Sequence, residues 1–284
     1  MAMSRSPLLA AEAQAAKAAR RSDVDVRELT LDSEFRAAEQ LLCDIWSVGP
    51  GQSPLAREVL RVLSFSGAYA AGAYRGEKLL GVAVGLLADD RHTGGGVHLH
   101  SHITGVAREA QGSHVGFALK LHQGAWALRR NIDLISWTFD PLVSRNAHFN
   151  IQKLGATAPR YYVDFYGEMS DGVNSGWGSD RLLIEWRPAE HRANASSPVG
   201  EEPVEAVLDH DADQIPLLRW SGNSKLIACR LPENIDALRQ DRPDVAIAWR
   251  HAVRKTLQRA LKEDFWISGF DRRFGYILRR PHTS

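Results

Sequence analysis

The sequence is poor in sulfur: among 284 residues there are two cysteines and three methionines. Cys43 and Cys229 stand far apart and match no CxxC metal or redox spacing. They read as reduced thiols of a cytoplasmic protein, with a single disulfide as the alternative. No apolar run approaches the roughly 20 residues that cross a bilayer, so no membrane association is expected. Charge of one sign is also lacking. Lys+Arg 35 against Asp+Glu 34 leaves a formal +1, which supplies no global field for nucleic acid or an anionic surface. Any phosphate recognition must therefore be local. The glycine spacing of a dinucleotide fingerprint is absent, as are the lysine of a P-loop and any internal repeat.

Enough remains for a large core, since 44% of residues are hydrophobic. Residues 1–22 are alanine-rich and basic and read as an N-terminal tail or helix with too narrow an apolar face for strong packing. VDVREL alternates as a strand. A helix follows, with Asp32 or Ser33 as its cap and Phe35, Ala38, Leu41, Leu42, Ile45 and Trp46 at helical spacing. A second helix ends near Gly67, and residues 68–88 read as a hairpin. The loop DDRHTGGG precedes a strand with histidines at 98, 100 and 102, and a turn at 111–116 opens a long helix. IDLISWTFDPL is a strand, VSRNAHFNIQKLGA a helix closed by Gly155, and YYVDFYGEM and DRLLIEWRP two further strands around the loop SDGVNSGWGS. This order implies an α/β fold with a mixed sheet carrying helices on both faces. The expected organisation is a main domain over 23–188, a polar linker over 189–202 and a C-terminal α/β extension over 203–284 packed on the core. That extension should hold a strand near 225–230, a helix from about Pro243 to Asp264 and a last strand GYILRR. The basic residues of the helix, Arg250, Arg254, Lys255, Arg259 and Lys262, read as a solvated flank and outer face, with nucleic-acid binding as the rival.

The most informative stretch is Gln111-Gly112-Ser113-His114-Val115-Gly116. A strand that feeds a glycine turn and then a helix N-terminus points unpaired N–H groups at the turn, which favours a bound anion. The plain alternative is that both glycines only ease helix packing. Period-two spacing predicts that His98, His100 and His102 share one face of their strand. They suit a hydrogen-bonded strut or a general base, with His100 and His102 the preferred bases. Zinc would need a further ligand that the sequence does not offer. Asp140, at the end of its strand, either turns the chain or meets a substrate. Arg145 and Arg181 either form surface ion pairs or bind a substrate carboxylate.

The chain resembles the GNAT superfamily of acyl-CoA dependent N-acyltransferases. The signature Gln or Arg, two residues, Gly, one residue, Gly or Ala maps onto Gln111, His114 and Gly116, with histidine where the first glycine is expected. WTFDPL at 137–142, RNAHFN at 145–150, KLGA at 153–156, YG at 166–167 and SDR at 179–181 look like a prokaryotic subgroup often associated with N-acylamino acid metabolism. The resemblance covers about Val24 to Arg187. It implies direct acyl transfer from acetyl-CoA or another acyl-CoA to the amine of a small molecule or amino acid, in a ternary complex without a metal. It implies that Thr104, Val106, Gln111, Gly112, Ser113, His114, Val115, Gly116 and Asn146 hold the acyl-CoA, with an N–H near Val106 on the thioester oxygen. The tyrosine that often protonates the leaving thiolate aligns with Ile151. Tyr162 and Tyr166, with Tyr161, are the substitute acids, unless the thiolate leaves unaided. These two departures keep open a degenerate acyl-CoA binding or sensing module without turnover. A homodimer is compatible with the sequence.

Overall fold

In the computed structural model, which describes residues 5–49, 52–89, 96–168, 176–190, 199, 202–221 and 224–281, the chain divides into two units. The first comprises residues 1–137, 170–175 and 187–190, and the second residues 138–169, 176–186 and 191–284. Residues 90–95 of the loop expected at 89–96, part of the loop before Gly176 and most of the expected linker lie outside the described residues.

The first unit contains α1 (Arg5–Arg21), β1 (Asp25–Glu28), α2 (Asp32–Trp46), α3 (Arg57–Phe65), β2 (Tyr69–Arg75), β3 (Lys78–Asp89), β4 (Val97–Val106) and α4 (Val115–Arg129). It also holds the start of β5 (Ile135–Phe139). Strands β1 to β4 pair antiparallel in sequence order, and β4 pairs β5 in parallel. Helices lie on both faces. A Cβ built on Gly81 would meet Leu119 and Val115 of α4, and one on Gly105 would lie 2.7 Å from Ile45 of α2. Only glycine at 105 lets α2 approach the strand so closely.

Two expectations are corrected. Residues 5–21 form a helix, as one of the two readings had it, but its packing is not weak: Ala11, Ala15 and Ala18 are buried, and α1 packs along α4. Small side chains narrow the apolar stripe but also let two helices come close, so a modest stripe suffices. Neither Asp32 nor Ser33 caps α2. Glu34 turns back to accept from the N–H groups of Thr30 at 2.8 Å and Leu31 at 3.0 Å, and Arg27 pairs with the same carboxylate.

The second unit contains α5 (Ser144–Ala147), a π-helical turn over His148–Lys153, β6 (Thr157–Tyr162), β7 (Arg181–Trp186), β8 (Glu205–His210), β9 (Pro216–Leu218) and β10 (Leu226–Cys229). It continues with α6 (Ile235–Asp241), α7 (Pro243–Lys262), β11 (Trp266–Asp271) and β12 (Gly275–Arg279). The strand expected over YYVDFYGEM ends at Tyr162, because β6 takes TAPRYY instead and the chain then turns at Asp164, where φ is 45°. A second sheet, ordered β11-β12-β10-β8-β9, backs α7, whose Trp249, Val253, Leu257 and Ala260 are fully buried. Within it only β10 and β8 are parallel. No helix among the described residues is long and apolar enough to cross a membrane.

Candidate functional site

The pairing of β4 with β3 contains one irregularity, and it determines where the histidines point. Val84 pairs with Ile103 while the adjacent Gly85 pairs with Ser101, so His102 is the extra residue of a β-bulge. The bulge resets the alternation. Ser101 faces α4, where Lys120 Nζ donates to its Oγ at 2.8 Å, and His98 and His100 take the opposite face. The single face expected for all three histidines is thus corrected: His98 and His100 share one, and His102 stands exposed at the bulge.

His98 and His100 meet on Ser136 of β5. His98 Nε2 lies 2.9 Å and His100 Nδ1 3.0 Å from Ser136 Oγ, an arrangement set by the parallel register that puts Ser136 beside His100. Burial, followed by the charges of His102, His98 and Lys120, lowers His100 to about 4, so its ring is neutral at pH 7.

The other face of the same strands holds a buried lysine. Lys120 is 5% exposed, donates to Ser101 and, at 3.2 Å, to Gln123 Oε1, and sits 3.9 Å from the centroid of the Trp137 ring. None of these partners is a carboxylate, and burial lowers its pKa to about 7. Sequence reasoning passed over Lys120, Gln123 and Ser136. The available signal was a lysine between Leu119 and Leu121 in a helix that is otherwise apolar on nearly every side.

Past His100 the β4 to β5 pairing ends, while β3 continues along β4 to Val106. Ala107 donates to Leu80, so by antiparallel alternation the N–H groups of Thr104 and Val106 point away from β3, toward the open edge. The chain then makes a tight 3-10 turn over Arg108–Ala110 and enters α4 through two left-handed residues, Gly112 at φ 81° and His114 at φ 67°. His114 therefore adopts the backbone conformation that glycine supplies most easily, at the position where the motif has glycine. The N–H groups of Gly112, Val115 and Gly116 have no acceptor among the described residues, and Gln111, Gly112 and His114 are exposed. Ser113 is held inward by its hydroxyl, which donates to Ala110 at 2.6 Å. The result is an open helix start carrying three free donors and the positive end of a 15-residue helix.

No family model matches this chain, and no curated protein matches it. Solved structures do. A GNAT-family protein from Desulfovibrio desulfuricans aligns with 58% of this chain and 99% of its own, at 16% identity and a TM-score of 0.44. The NatC complex bound to Gag peptide and CoA aligns with 58% of this chain and 98% of its own, at 14% identity and a TM-score of 0.43. FeeM, an N-acyl amino acid synthase from uncultured soil microbes, aligns with 59% of this chain and 92% of its own, at 14% identity and a TM-score of 0.43.

The remaining candidates belong to the second unit. Both oxygens of Asp140 are taken by protein donors: Arg250 binds them at 2.7 Å each, Arg239 adds a third bond at 2.7 Å, and the Leu142 N–H a fourth at 2.9 Å. Burial alone would raise this carboxyl, but Arg250 and Arg239 outweigh it and hold the group below the usual carboxylate range. Asp140 is therefore a structural anchor rather than a free substrate ligand. The basic row of α7 is corrected with it. Arg250 is 5% exposed, and Arg254 grips fully buried Asp180 at 2.6 and 2.8 Å, so this part of the row is neither a solvated face nor a nucleic-acid surface.

Tyr161 donates its hydroxyl to Asp180, and burial together with that bond raises its pKa, which removes it as an acid near neutral pH. Tyr162 packs on Phe165. Tyr166 is 43% exposed, with its hydroxyl 3.4 Å from Thr138 Oγ1 and the Arg181 guanidinium 5.1 Å above its ring. Arg181 is buried and donates to the Asp180 carbonyl at 2.9 Å, whereas Arg145 is exposed and pairs with Asp236 at 3.3 Å. Asn146 is exposed on α5, and Ile151 is buried in the π-helical turn.

Proposed function

We propose that this chain is a cytoplasmic N-acyltransferase that moves an acetyl or related acyl group from acyl-CoA to the amine of a small molecule or amino acid. The observation that carries the reading is the start of α4, where Gly112, Val115 and Gly116 offer three free N–H groups within the motif Gln111-x-x-His114-x-Gly116. These donors and the helix dipole bind the pyrophosphate without any lysine. The open edge of β4 receives the pantetheine, and the Val106 N–H stabilises the oxygen of the thioester as the amine attacks. A donor aimed in this way is worth a few kcal/mol in the transition state. His100 accepts the proton that the ammonium group must lose before it becomes a nucleophile. The thiolate leaves as a stable anion, unaided by a protein acid.

Calorimetry with acetyl-CoA, followed by thiol-release assays against a panel of amines, amino acids and peptides, tests the reading. Gly116→Glu places a carboxylate at the first turn of α4 and is expected to weaken acetyl-CoA binding at least about tenfold while circular dichroism is unchanged. Absence of acetyl-CoA binding by the native chain would overturn the site. Binding without thiol release across the panel would overturn the catalytic claim.

A further inference from the structure

Ser136 Oγ stands between two imidazoles, 2.9 Å from His98 Nε2 and 3.0 Å from His100 Nδ1. A hydroxyl donates to one ring while it accepts from the other, so a proton arriving at one imidazole passes to the second without movement of heavy atoms. The two ends differ. Among the described residues, His100 Nε2 makes no hydrogen bond and is not enclosed, whereas His98 Nδ1 is buried and has no partner. The chain of groups is therefore open at His100 and closed at His98.

We propose that His98, Ser136 and His100 form a proton relay that takes the first proton from the incoming ammonium group and holds it on His98 while the amine attacks. The proposal rests on the acyltransferase reading and deepens it. An acceptor that arrives as an ammonium ion loses two protons on its way to an amide. The first moves from nitrogen to His100 Nε2, the Nδ1 proton of His100 moves to Ser136 Oγ, and the hydroxyl proton moves to His98 Nε2. His98 is then an imidazolium and His100 is neutral. The free amine forms the carbon–nitrogen bond, the carbon–sulfur bond breaks with its electron pair on sulfur, and the second nitrogen proton ends on that thiolate. The stored proton returns by the same path to water.

The surroundings disfavour a proton that rests on His100. Burial, His102 and His98 on the same strand, and Lys120 of α4 from the opposite face all disfavour charge on His100. Strand β3 places Leu86 and Ala88 opposite His100 and His98, with exposed Asp89 one residue further, and no carboxylate bonds either ring among the described residues. A proton left on His100 would return to the amine. Ser136 is the positioning residue that lets it travel on.

Two readouts test this. NMR titration of the imidazoles, assigned with His98→Gln and His100→Gln, should show a coupled pair in the native chain and two independent curves in Ser136→Ala. Thiol release measured across pH should show kcat lowered about 10- to 100-fold in Ser136→Ala with the KM for acetyl-CoA unchanged, and both properties restored in Ser136→Thr. A Ser136→Ala variant that keeps native kcat, pH profile and ring titrations would overturn the relay. Uncoupled rings in a native chain with full thiol release would overturn the relay alone. Coupled rings in a native chain that releases no thiol with any amine would overturn the acyltransferase reading and the relay's role in it.

Discussion

Replacing Lys120 with methionine removes a charge that the first unit buries without a counter-ion, and the consequence for stability has a calculable sign. Lysine ordinarily titrates near 10.5, and burial lowers Lys120 to about 7. The unfolded chain therefore holds a proton between these values that the folded chain has released, so stability must rise with pH across that window. The whole difference corresponds to about 5 kcal/mol, and one proton gives a slope of about 1.4 kcal/mol per pH unit. Methionine has similar length and no charge. It forfeits the bond to Ser101 Oγ and the contact over the Trp137 ring, together roughly 2 kcal/mol, and leaves Gln123 Oε1 with one partner fewer. Lys120→Met should thus be the more stable protein at pH 6 to 7, by roughly 1 to 3 kcal/mol, and should lose that advantage by about pH 10. Urea unfolding of both proteins at half-unit pH steps reads the effect as a difference, in which other titrating groups cancel. Parallel pH dependences for the two would show that Lys120 keeps its ordinary proton affinity inside the fold, and the argument from burial would fail.

His114 adopts φ 67°, so His114→Gly should leave acetyl-CoA binding intact and stability within about 1 kcal/mol, whereas His114→Val should cost roughly 1 to 2 kcal/mol, both read from denaturant melts. Arg250→Met strands the Asp140 carboxylate beside Arg239 alone and should destabilise the chain by about 3 to 5 kcal/mol, with Asp140→Asn comparably severe. Because Asp140 titrates below its unfolded value, its contribution is present above the ordinary carboxylate range and is lost as acid takes pH down through the lowered folded value. Acid unfolding of native and Asp140→Asn proteins should converge there.

The elements were legible wherever a period ran long enough to be counted. Helix α7 follows its apolar spacing, β4 and α4 flank the turn as the local pattern predicts, and Gly67 and Gly155 take the positive φ expected after helices. What escaped was short or remote. Strands β8, β9 and β11 span three to six residues, too few for alternation to stand out from loop. The cap of α2 differs from the expected Asp32 or Ser33 because Glu34, inside the first turn, reaches back to the N–H groups of Thr30 and Leu31. Arg250 and Arg254 lay in a row of five basic residues, and nothing in α7 itself distinguishes an arginine that meets Asp140 or Asp180 from one that meets water. Their partners are 110 and 74 residues away.

The candidate site shows the same limit most sharply, because its chemistry depends on a single surplus residue. Alternation read from β4 alone assigns His98, His100 and His102 to one face, and any mechanism built on that would treat them as equivalent. The face a strand residue takes is fixed by its pairing, and the pairing skips one position between Val84 and Gly85. With the skip, Ser101 turns to Lys120 on one side while His100 and His98 turn to Ser136 on the other, so adjacent residues serve two separate polar clusters. Without it, His100 would occupy the face of α4 beside a buried lysine, where neither group has a carboxylate to offset its charge. The bulge thus keeps the imidazole pair and the buried ammonium on opposite sides of one sheet, and it leaves His102, the residue it displaces, exposed and outside the relay.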